Sequence, residues 1–565
     1  MIARRGIQIH LLLLIALCGV LYFPYLGNTP FFDKGEPREA LAVQDIVQRG
    51  EWLFPLKRAT AIPSKPPLFH WSAALISEMT GHLNETTIRF PSALYATLGV
   101  LLIYLLGRKL YGPAVALLAG AILATTMVYS DQALSARVDM TLCFFLTLSL
   151  IFFYSLYRGF LIHPLWYFIF YLVVGIGTLA KGPLGILLPG LVIVGFLSLK
   201  RRWDLVMKFA FHPGVVLMLL LAAGWYGLAI ARAGEVFVDR QLLQENFERF
   251  FGGSGHSHPV YYYVPYLFSL GLPWSLFLPF LLWDMFKKSS PAGDDRLFFK
   301  SWLLIMFVFF SLSAGKRPVY LLPLYPPLAL LLADWVYQQY HLSGWRLVFY
   351  RVVAGVAVLS GVMLLIISAG AVLNHEPGWF FGSIARLLKP KDRANLLLVQ
   401  DALDNFGAVF TILTLIMAVF WVALGRAFWH AQVPRAALFL LGISIVFVFT
   451  SRGIVIPVIA ADKSYREFVM AMDRQVGPAA VIYLFGEFNS DPVVFYHRKT
   501  IDILEQPVAE LASKVGAGSD YVILPRETWE EIEKIRPGLA PPILSSSGKG
   551  AEGDAPLVLV RAQII

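Results

Sequence analysis

Long apolar stretches recur along most of this chain, and each is close to the length that a helix needs to cross a bilayer. A helix rises about 1.5 Å per residue, so roughly 20 apolar residues span the hydrocarbon core. Thirteen such stretches occur, at 8–26, 92–110, 113–130, 136–156, 163–180, 182–199, 211–231, 262–285, 299–314, 317–338, 347–373, 406–424 and 435–452. The pattern predicts a polytopic α-helical membrane protein with about thirteen transmembrane helices.

Two regions depart from this pattern. Residues 27–91 contain two predicted helices, near 36–49 and 66–80. From residue 453 the composition resembles that of a soluble domain, with three short apolar runs that predict strands and a helix near 528–535. The strand-like runs are 480–485, 521–524 and 557–560. The sequence therefore predicts a transmembrane catalytic domain over 1–452 and a small α/β domain outside the membrane over 453–565.

Composition supports the membrane assignment. Hydrophobic residues make up 57% of the 565-residue chain and charged residues 15%, against roughly 25% charged in an average soluble domain. The mean hydropathy is +0.65. These values exclude disordered, fibrous and disulfide-scaffold proteins. Both cysteines, Cys18 and Cys143, lie in apolar runs and are expected to pack as small hydrophobic residues.

The net charge of +10 would suggest nucleic-acid binding in a soluble chain, but here lysine and arginine cluster at alternate span ends. The positive-inside rule then puts the N-terminus in the cytoplasm and 27–91 and 453–565 outside. The first apolar run lacks a following cleavage site, which predicts an uncleaved anchor. We expect a multi-pass bacterial inner-membrane protein with a periplasmic C-terminal domain and no nucleic-acid partner.

The first outer loop contains carboxylates in front of a predicted helix. Asp33 and Glu36 precede Pro37, which is favoured in the first turn of a helix. A carboxylate at this position can act as a general base. Alternatively, Glu36 caps the helix and pairs with Arg38. Spacing alone leaves both interpretations open.

Several cations are predicted at the same outer face. Lys65 precedes Pro66 and Pro67 at an expected helix start, where a lysine and backbone N–H groups suit a phosphate; an interfacial lysine that snorkels is the alternative. Lys181 lies at the Gly-Pro break between two predicted spans, where it suits an anionic headgroup; a simple turn lysine is the alternative. Lys181, Lys316 and Arg317 are exceptions to the positive-inside rule at the outer face and therefore call for an explanation.

Charges also enter a predicted span. Arg137 and Asp139 stand at the start of the fourth span, where charged side chains are costly and usually functional. They could pair with Arg38, with Glu36 or with one another, and a purely structural ion pair is the alternative. A further outer loop contains Arg249 and then His256 and His258, a pair that is weak evidence for a metal.

Cations and carboxylates thus collect on one face beside an apolar wall, which suits a lipid phosphate. The sequence has no Walker A loop, dinucleotide fingerprint, HExxH or GxSxG motif. ATP-driven transport is therefore unsupported. A secondary transporter or lipid flippase would instead place ionisable residues at mid-span and show repeat symmetry.

Taken in order, these segments resemble the C-type membrane glycosyltransferases that use polyprenyl-phosphate sugars. The bacterial protein mannosyltransferase-like enzymes and the aminoarabinose transferases that modify lipid A are the most similar groups. The resemblance covers about 1–340, through the ordered segments 35–38, 65–67, 136–139, 181–183, 248–250 and 316–320. It implies a C-type glycosyltransferase fold and inverting transfer from a polyprenyl-phosphate donor to a lipid, protein or glycan acceptor. No cofactor is required on this interpretation, and a divalent metal is left open.

The resemblance also implies roles for individual residues. The family usually has an acidic doublet in the first loop, and here Glu36 matches its second member while Gly35 replaces its first. The catalytic carboxylate is therefore open between Glu36 and Asp33, with Asp139 resembling the second acidic position. The residues that resemble donor-phosphate ligands are Lys65, Arg249 and Lys181, and the supporting residues are Arg38, Arg137, Lys316 and Arg317.

One rival class remains close. Other polyprenyl-carrier enzymes, such as ligases, polymerases and lipid phosphotransferases, also use outer cations, but they should lack the acidic loop followed by Lys65-Pro66-Pro67. The sequence does not choose between mannose, aminoarabinose, galacturonic acid and other pentoses.

Overall fold

A computed structural model describes most of the chain. It covers residues 2–57, 62, 65–239, 241, 252, 258–286, 293–338, 344–372, 386, 393, 396–398, 400, 407–477, 480–499, 501–504, 520–550 and 555–562. Arg249 and His256 lie outside the described residues.

The described chain is mostly helical up to residue 475. Its α-helices are α1 Ile2–Tyr22, α2 Glu36–Arg49, α3 Leu68–Thr80, α4 Glu85–Tyr111, α5 Pro113–Thr125, α6 Met127–Ala133, α7 Val138–Tyr157, α8 Leu165–Lys181, α9 Leu184–Leu199, α10 Trp203–Ala210, α11 Gly214–Phe237, α12 Tyr263–Leu270, α13 Leu278–Phe286, α14 Asp294–Leu312, α15 Tyr325–Gln338, α16 Trp345–Val372, α17 Gly407–Trp429, α18 Val433–Thr450, α19 Ile456–Lys463 and α20 Arg466–Gln475.

Every predicted span falls on one of these helices or on a bent pair. Among the described residues, eight helices are long and apolar enough to cross a membrane. Two further pairs are bent, by 66° between α5 and α6 and by 113° between the segments 260–270 and 274–286. Helices α8 and α9 are apolar but shorter, and α14 begins with two aspartates. The membrane-spanning helical fold is therefore confirmed, whereas the count of thirteen crossings stays a prediction.

Local sequence explains where the helices near the cavity begin and end. Helix α2 starts where Asp33 Oδ1 accepts the backbone N–H groups of Gly35 and Glu36, at 3.0 and 2.7 Å. It ends at Gly50, whose φ of 70° is a left-handed conformation that glycine adopts at little cost. Gly182, at φ 77°, separates α8 from α9. The two helices predicted in 27–91 are thus confirmed as α2 and α3.

The end of the chain forms a five-stranded sheet with three further helices. The strands are β1 Ile482–Phe485, β2 Asp502–Leu504, β3 Tyr521–Pro525, β4 Leu544–Ser545 and β5 Leu557–Arg561, and the helices include α21 Asp491–His497 and α22 Arg526–Ile535. The order is β2-β1-β3-β5-β4, with β1 parallel to β2 and β3, and β5 antiparallel to β3 and β4. We call the described residues from Arg466 to Ala562 the C-terminal sheet domain.

The boundary of this domain has a helical lead-in. A π-helical turn at Ser451–Val455 joins α18 to α19, so one apolar helical segment runs from Val433 to Lys463. The division of the chain at residue 453 stays a prediction. One hydrophobic cluster contains Phe31, Val43 and Phe69 from the 27–91 region together with Phe495 and Leu559 from the sheet domain. The sheet domain is therefore packed directly against the first outer loop.

Candidate active site

A cavity of about 470 Å³ lies where the 27–91 loop meets the ends of α6, α7 and α8. Its apolar lining includes Val128, Leu134, Leu270 and Val319. Its charged lining, within the described chain, comprises seven cationic side chains and five carboxylates. The cationic residues are Arg38, Lys65, Arg89, Arg137, Lys181, Arg317 and Arg452, and the acidic residues are Asp33, Glu36, Glu39, Asp131 and Asp139. Eight of the ten predicted site residues therefore lie around one cavity.

Glu36 is held in a buried ion pair with Arg89. Arg89 donates from Nε and Nη2 to the two carboxylate oxygens of Glu36, each at 2.7 Å, and the backbone N–H of Ala136 donates to Oε1 at 2.8 Å. The remaining donors of Arg89 reach the carbonyl oxygens of Leu26 and Thr29. Because both oxygens of Glu36 are used in this way, Glu36 fixes the first loop against α4 and the start of α7.

Asp33 is more accessible than Glu36. Its side chain is 36% exposed, compared with 7% for Glu36. Oδ2 accepts a hydrogen bond from Arg137 at 2.5 Å, while Oδ1 caps α2. Burial would raise the pKa of Asp33, but the Arg137 guanidinium and the two backbone N–H groups outweigh it and hold this pKa below its usual value. Asp33 therefore presents an ionised carboxylate to the cavity.

Gly35 leaves the space that Arg137 fills. An ideal Cβ atom on Gly35 would lie 2.0 Å from Cζ of Arg137, far inside van der Waals contact. The guanidinium thus occupies the place of a side chain at position 35. Glycine at the first position of the acidic doublet therefore leaves room for the Arg137 side chain, which pairs with Asp33.

Asp139 and Lys181 form an ion pair across α7 and α8. Lys181 Nζ contacts Asp139 Oδ1, and the two side chains are 9% and 14% exposed. The ammonium also lies 4.6 Å from the ring centroid of Tyr320. The sequence left three pairings open for Arg137 and Asp139: with Arg38, with Glu36 or with one another. The structure instead pairs Arg137 with Asp33 and Asp139 with Lys181.

A second buried pair, His70 and Glu39, connects α3 to α2 beside the cavity. His70 lies 2.9 Å from Glu39, and Arg38 contacts the other oxygen of the same carboxylate at 3.1 Å. Burial would raise the pKa of Glu39, but the His70 hydrogen bond and the Arg38 charge lower it far below its ordinary value. Arg38 thus pairs with Glu39. Glu36, which the alternative interpretation paired with Arg38, is bound by Arg89.

The cation pair at 316–317 divides in the structure. Arg317 lines the cavity. Lys316 does not, since its ammonium donates to the carbonyl oxygens of Ser313 and, at 2.9 Å, of His258. Lys316 therefore anchors a loop. His258 stacks on Tyr262 at 4.2 Å, and no cluster of three or more metal-ligating side chains occurs among the residues that the structure describes.

Four charged residues of the cavity lining were missed by the sequence interpretation: Glu39, Arg89, Asp131 and Arg452. Arg89 lies near the start of α4, five residues after Asn84, which caps that helix. A charged side chain entering an apolar helix is itself a signal of function, and it could have been used. Arg452 lies in the π-helical turn and pairs with Asp131 of α6. Its partner is 321 residues away in the chain, so no local pattern indicates it.

The arrangement suits a reaction at a lipid-linked anion. Lysine and arginine side chains would neutralise a phosphate, and an ionised carboxylate lies in the same cavity. The apolar side chains of the lining would contact a hydrocarbon tail. Lys65, three residues before the first residue of α3, lies among these cations.

Comparison with known proteins agrees with this chemistry. The sequence family described as dolichyl-phosphate-mannose-protein mannosyltransferase matches residues 64–226. An undecaprenyl phosphate-α-4-amino-4-deoxy-L-arabinose arabinosyl transferase from Pseudomonas fluorescens is 31% identical over 403 residues, which cover 67% of this chain and 71% of the relative. A Pseudomonas aeruginosa transferase with the same description is 32% identical over 337 residues, and the chain spans about 60% of its length.

The fold also matches a solved structure. The crystal structure of ArnT from Cupriavidus metallidurans bound to undecaprenyl phosphate superposes with a TM-score of 0.77 at 21% identity, covering 98% of this chain and 97% of that one. The apo form of the same protein gives a TM-score of 0.75. The predicted C-type glycosyltransferase fold, with a small C-terminal sheet domain, is thereby confirmed.

Proposed function

This chain belongs to the family of undecaprenyl phosphate-aminoarabinose arabinosyl transferases, and we propose that it transfers a sugar from a polyprenyl-phosphate donor to a lipid A-like acceptor. The reaction takes place at the outer face of a bacterial inner membrane, with inversion at the anomeric carbon. The observation that carries this proposal is the cavity, whose described lining combines seven cations and five carboxylates with apolar side chains. Since the relatives are described as arabinosyl transferases, the sugar proposed for this chain is 4-amino-4-deoxy-L-arabinose.

The donor phosphate lies among the cations. Lys65 supplies charge in front of the N-terminus of α3, where the helix dipole also favours an anion. Lys181 adds positive charge from the end of α8. As the bond between the anomeric carbon and the phosphate oxygen breaks, the leaving phosphate gains negative charge, which these cations stabilise.

Asp33 directs the acceptor. The oxygen of an acceptor hydroxyl forms the new bond to the anomeric carbon as the bond from that carbon to the donor phosphate oxygen breaks. The Asp33 carboxylate accepts a hydrogen bond from the attacking hydroxyl, whose proton passes to the released phosphate or to solvent. Because Arg137 holds the pKa of Asp33 low, this carboxylate is better suited to orienting the acceptor than to retaining the proton that the acceptor loses. Glu36, with both oxygens bound to Arg89, acts as a structural residue.

No metal is needed for this mechanism, because the leaving group is a monophosphate that side chains can hold. Metal independence is part of the proposal. Transfer should continue in the presence of a strong chelator, and loss of transfer that added Mg²⁺ or Mn²⁺ restores would contradict it.

The experiment is a transfer assay in nanodiscs with a panel of radiolabelled polyprenyl-phosphate sugars and a membrane lipid extract. We expect wild-type protein to consume the aminoarabinose donor. Asp33→Asn keeps the oxygen that caps α2 and removes the charge, so it should fold and lose at least about a hundredfold in kcat. Lys65→Ala should raise the donor KM.

A matched control is Lys208→Ala. Lys208 is exposed on α10, where it stacks on Tyr167 at 4.8 Å, outside the cavity lining. It should leave transfer unchanged. If no donor in the panel is consumed, or if both cavity variants stay fully active, another polyprenyl-carrier reaction or lipid translocation must be tested in place of this function.

A further inference from the structure

The C-terminal sheet domain holds the backbone of the first outer loop two residues before Asp33. The N–H of Phe31 donates to the hydroxyl of Tyr496 at 2.7 Å, and the Phe31 carbonyl accepts from Ser464 Oγ at 3.2 Å. Tyr496 belongs to α21, and Ser464 lies directly before the sheet domain. Both backbone polar groups of Phe31 are therefore bound by side chains more than 430 residues away in the chain.

Tyr496 connects this loop to α4 as well. Its hydroxyl donates to Glu85 Oε1 at 2.8 Å, and Glu85 also lies 3.6 Å from Arg466 of α20. Burial, followed by the Glu85 charge, raises the pKa of Tyr496 well above its ordinary value, so the hydroxyl keeps its proton. One hydroxyl thus accepts from the loop and donates to the first turn of α4.

The Phe31 ring extends the connection to the cavity. It is fully buried, packs edge-on against Phe495 at 5.1 Å and lies 5.0 Å from the Arg89 guanidinium. Arg89 in turn binds Glu36. The sheet domain therefore contacts the segment before Asp33. Through Phe31 and Arg89 it is also connected to Glu36, three residues after Asp33.

We propose that the sheet domain is part of the catalytic unit, and that Tyr496 is the positioning residue through which it fixes the Asp33 loop. The inference rests on the proposed function in so far as Asp33 serves transfer, but the contact itself does not depend on it. A domain that only recruits the acceptor would act on acceptor binding and would leave the loop unchanged.

The first test is Tyr496→Phe, which keeps the ring and removes the hydroxyl. It leaves the Phe31 N–H without its partner, so the Asp33 loop should move and kcat should fall about tenfold. The donor KM should stay within about twofold, because Lys65 and Lys181 are untouched. The matched control is Tyr483→Phe. Tyr483 lies on the face of the sheet opposite to the one that packs against α21, so this variant should change neither kcat nor the donor KM.

The second test does not require activity. Hydrogen–deuterium exchange of the peptide that covers residues 28–38 should be faster in Tyr496→Phe than in wild type and in Tyr483→Phe. If this peptide exchanges in Tyr496→Phe at the wild-type rate, the inference is overturned, whatever the activity of the variant. If wild-type protein consumes no donor while the exchange result holds, the positioning contact stands and the proposed function fails.

A double-mutant cycle separates positioning from general destabilisation. If Tyr496 acts through Asp33, Tyr496→Phe should have little further effect on the residual rate of Asp33→Asn. An equal fractional loss in both backgrounds, with a lower thermal midpoint, would indicate a purely structural residue and would contradict the proposal.

Discussion

Asp33 and Glu36 lie three residues apart on one loop, yet their partners give them different tasks. Glu36 and Arg89 are both buried and hydrogen-bonded to each other, whereas the Asp33 side chain is more exposed than those of Glu36 and Asp139. Removing one member of a buried pair leaves an uncompensated charge in a region of low dielectric. The two acidic residues should therefore differ in what their removal costs.

Glu36→Ala should destabilise the protein by about 3–5 kcal/mol, because Arg89 then remains buried without its partner. Glu51→Ala is the matched control, since its partner Arg232 is half exposed and such a pair contributes less than about 1 kcal/mol. Thermal unfolding in detergent measures both. Equal midpoints for the two variants would refute the structural role given to Glu36.

The pH profile should depend on Arg137. In wild type the pKa of Asp33 is lowered, so acid inactivation caused by Asp33 should begin at a lower pH than it would for an unperturbed aspartate. Arg137→Gln removes the lowering charge and leaves burial, which raises the pKa. The acid limb of kcat/KM should then move to higher pH.

Arg137→Lys is the control for that shift. It keeps a positive charge beside Asp33, so its acid limb should stay close to that of wild type. An unchanged profile in Arg137→Gln would show that Asp33 does not govern transfer in acid.

At the scale of elements, the positions of the cavity charges depend on close helix packing. An ideal Cβ on Gly185 of α9 would lie 2.4 Å from the backbone carbon of Gly177 in α8. Backbone atoms cannot rotate away as a side chain can, so any larger residue must separate the two helices. Lys181 lies at the end of α8, between these contacts and Asp139 of α7.

Gly185→Ala should therefore lower stability by about 1–3 kcal/mol and raise the donor KM by displacing Lys181. Gly190→Ala on the same helix is the control, because nothing lies within 4 Å of its added Cβ. Thermal midpoints and donor kinetics measure both effects. A Gly185→Ala protein with wild-type constants would contradict the packing argument.

The elements also show how far the sequence could lead. The bounds of α2 follow from local signals, since Pro37 favours its start and Gly50 its end, and the sequence placed the helix correctly. The bend after Thr125 could not be predicted, because the apolar stretch 113–130 is continuous there and Met127 N–H bonds to the distant Leu272 carbonyl. Likewise, spacing left open whether Glu36 is a general base or a capping residue, and only tertiary packing identifies Arg89 as its partner.

At the scale of the whole molecule, orientation in the membrane is open to direct measurement. The positive-inside rule predicts that α10 faces the cytoplasm and that the sheet domain faces the periplasm. Both native cysteines are buried, so we expect little maleimide labelling of the wild-type protein. Glu530 is exposed on α22, so Glu530→Cys should react with an impermeant maleimide in spheroplasts. Lys208→Cys should react only after permeabilisation. The opposite pattern would invert the predicted topology.

The two-charge excess of cations over carboxylates in the described cavity lining has a kinetic consequence. A sugar phosphodiester carries one negative charge, but the released polyprenyl phosphate carries nearly two at neutral pH. The emptied carrier therefore matches the cavity better than the loaded donor does. We expect added polyprenyl phosphate to inhibit competitively with the donor at pH 8 and less strongly near pH 6. Turnover in the cell would then depend on how quickly the spent carrier is recycled.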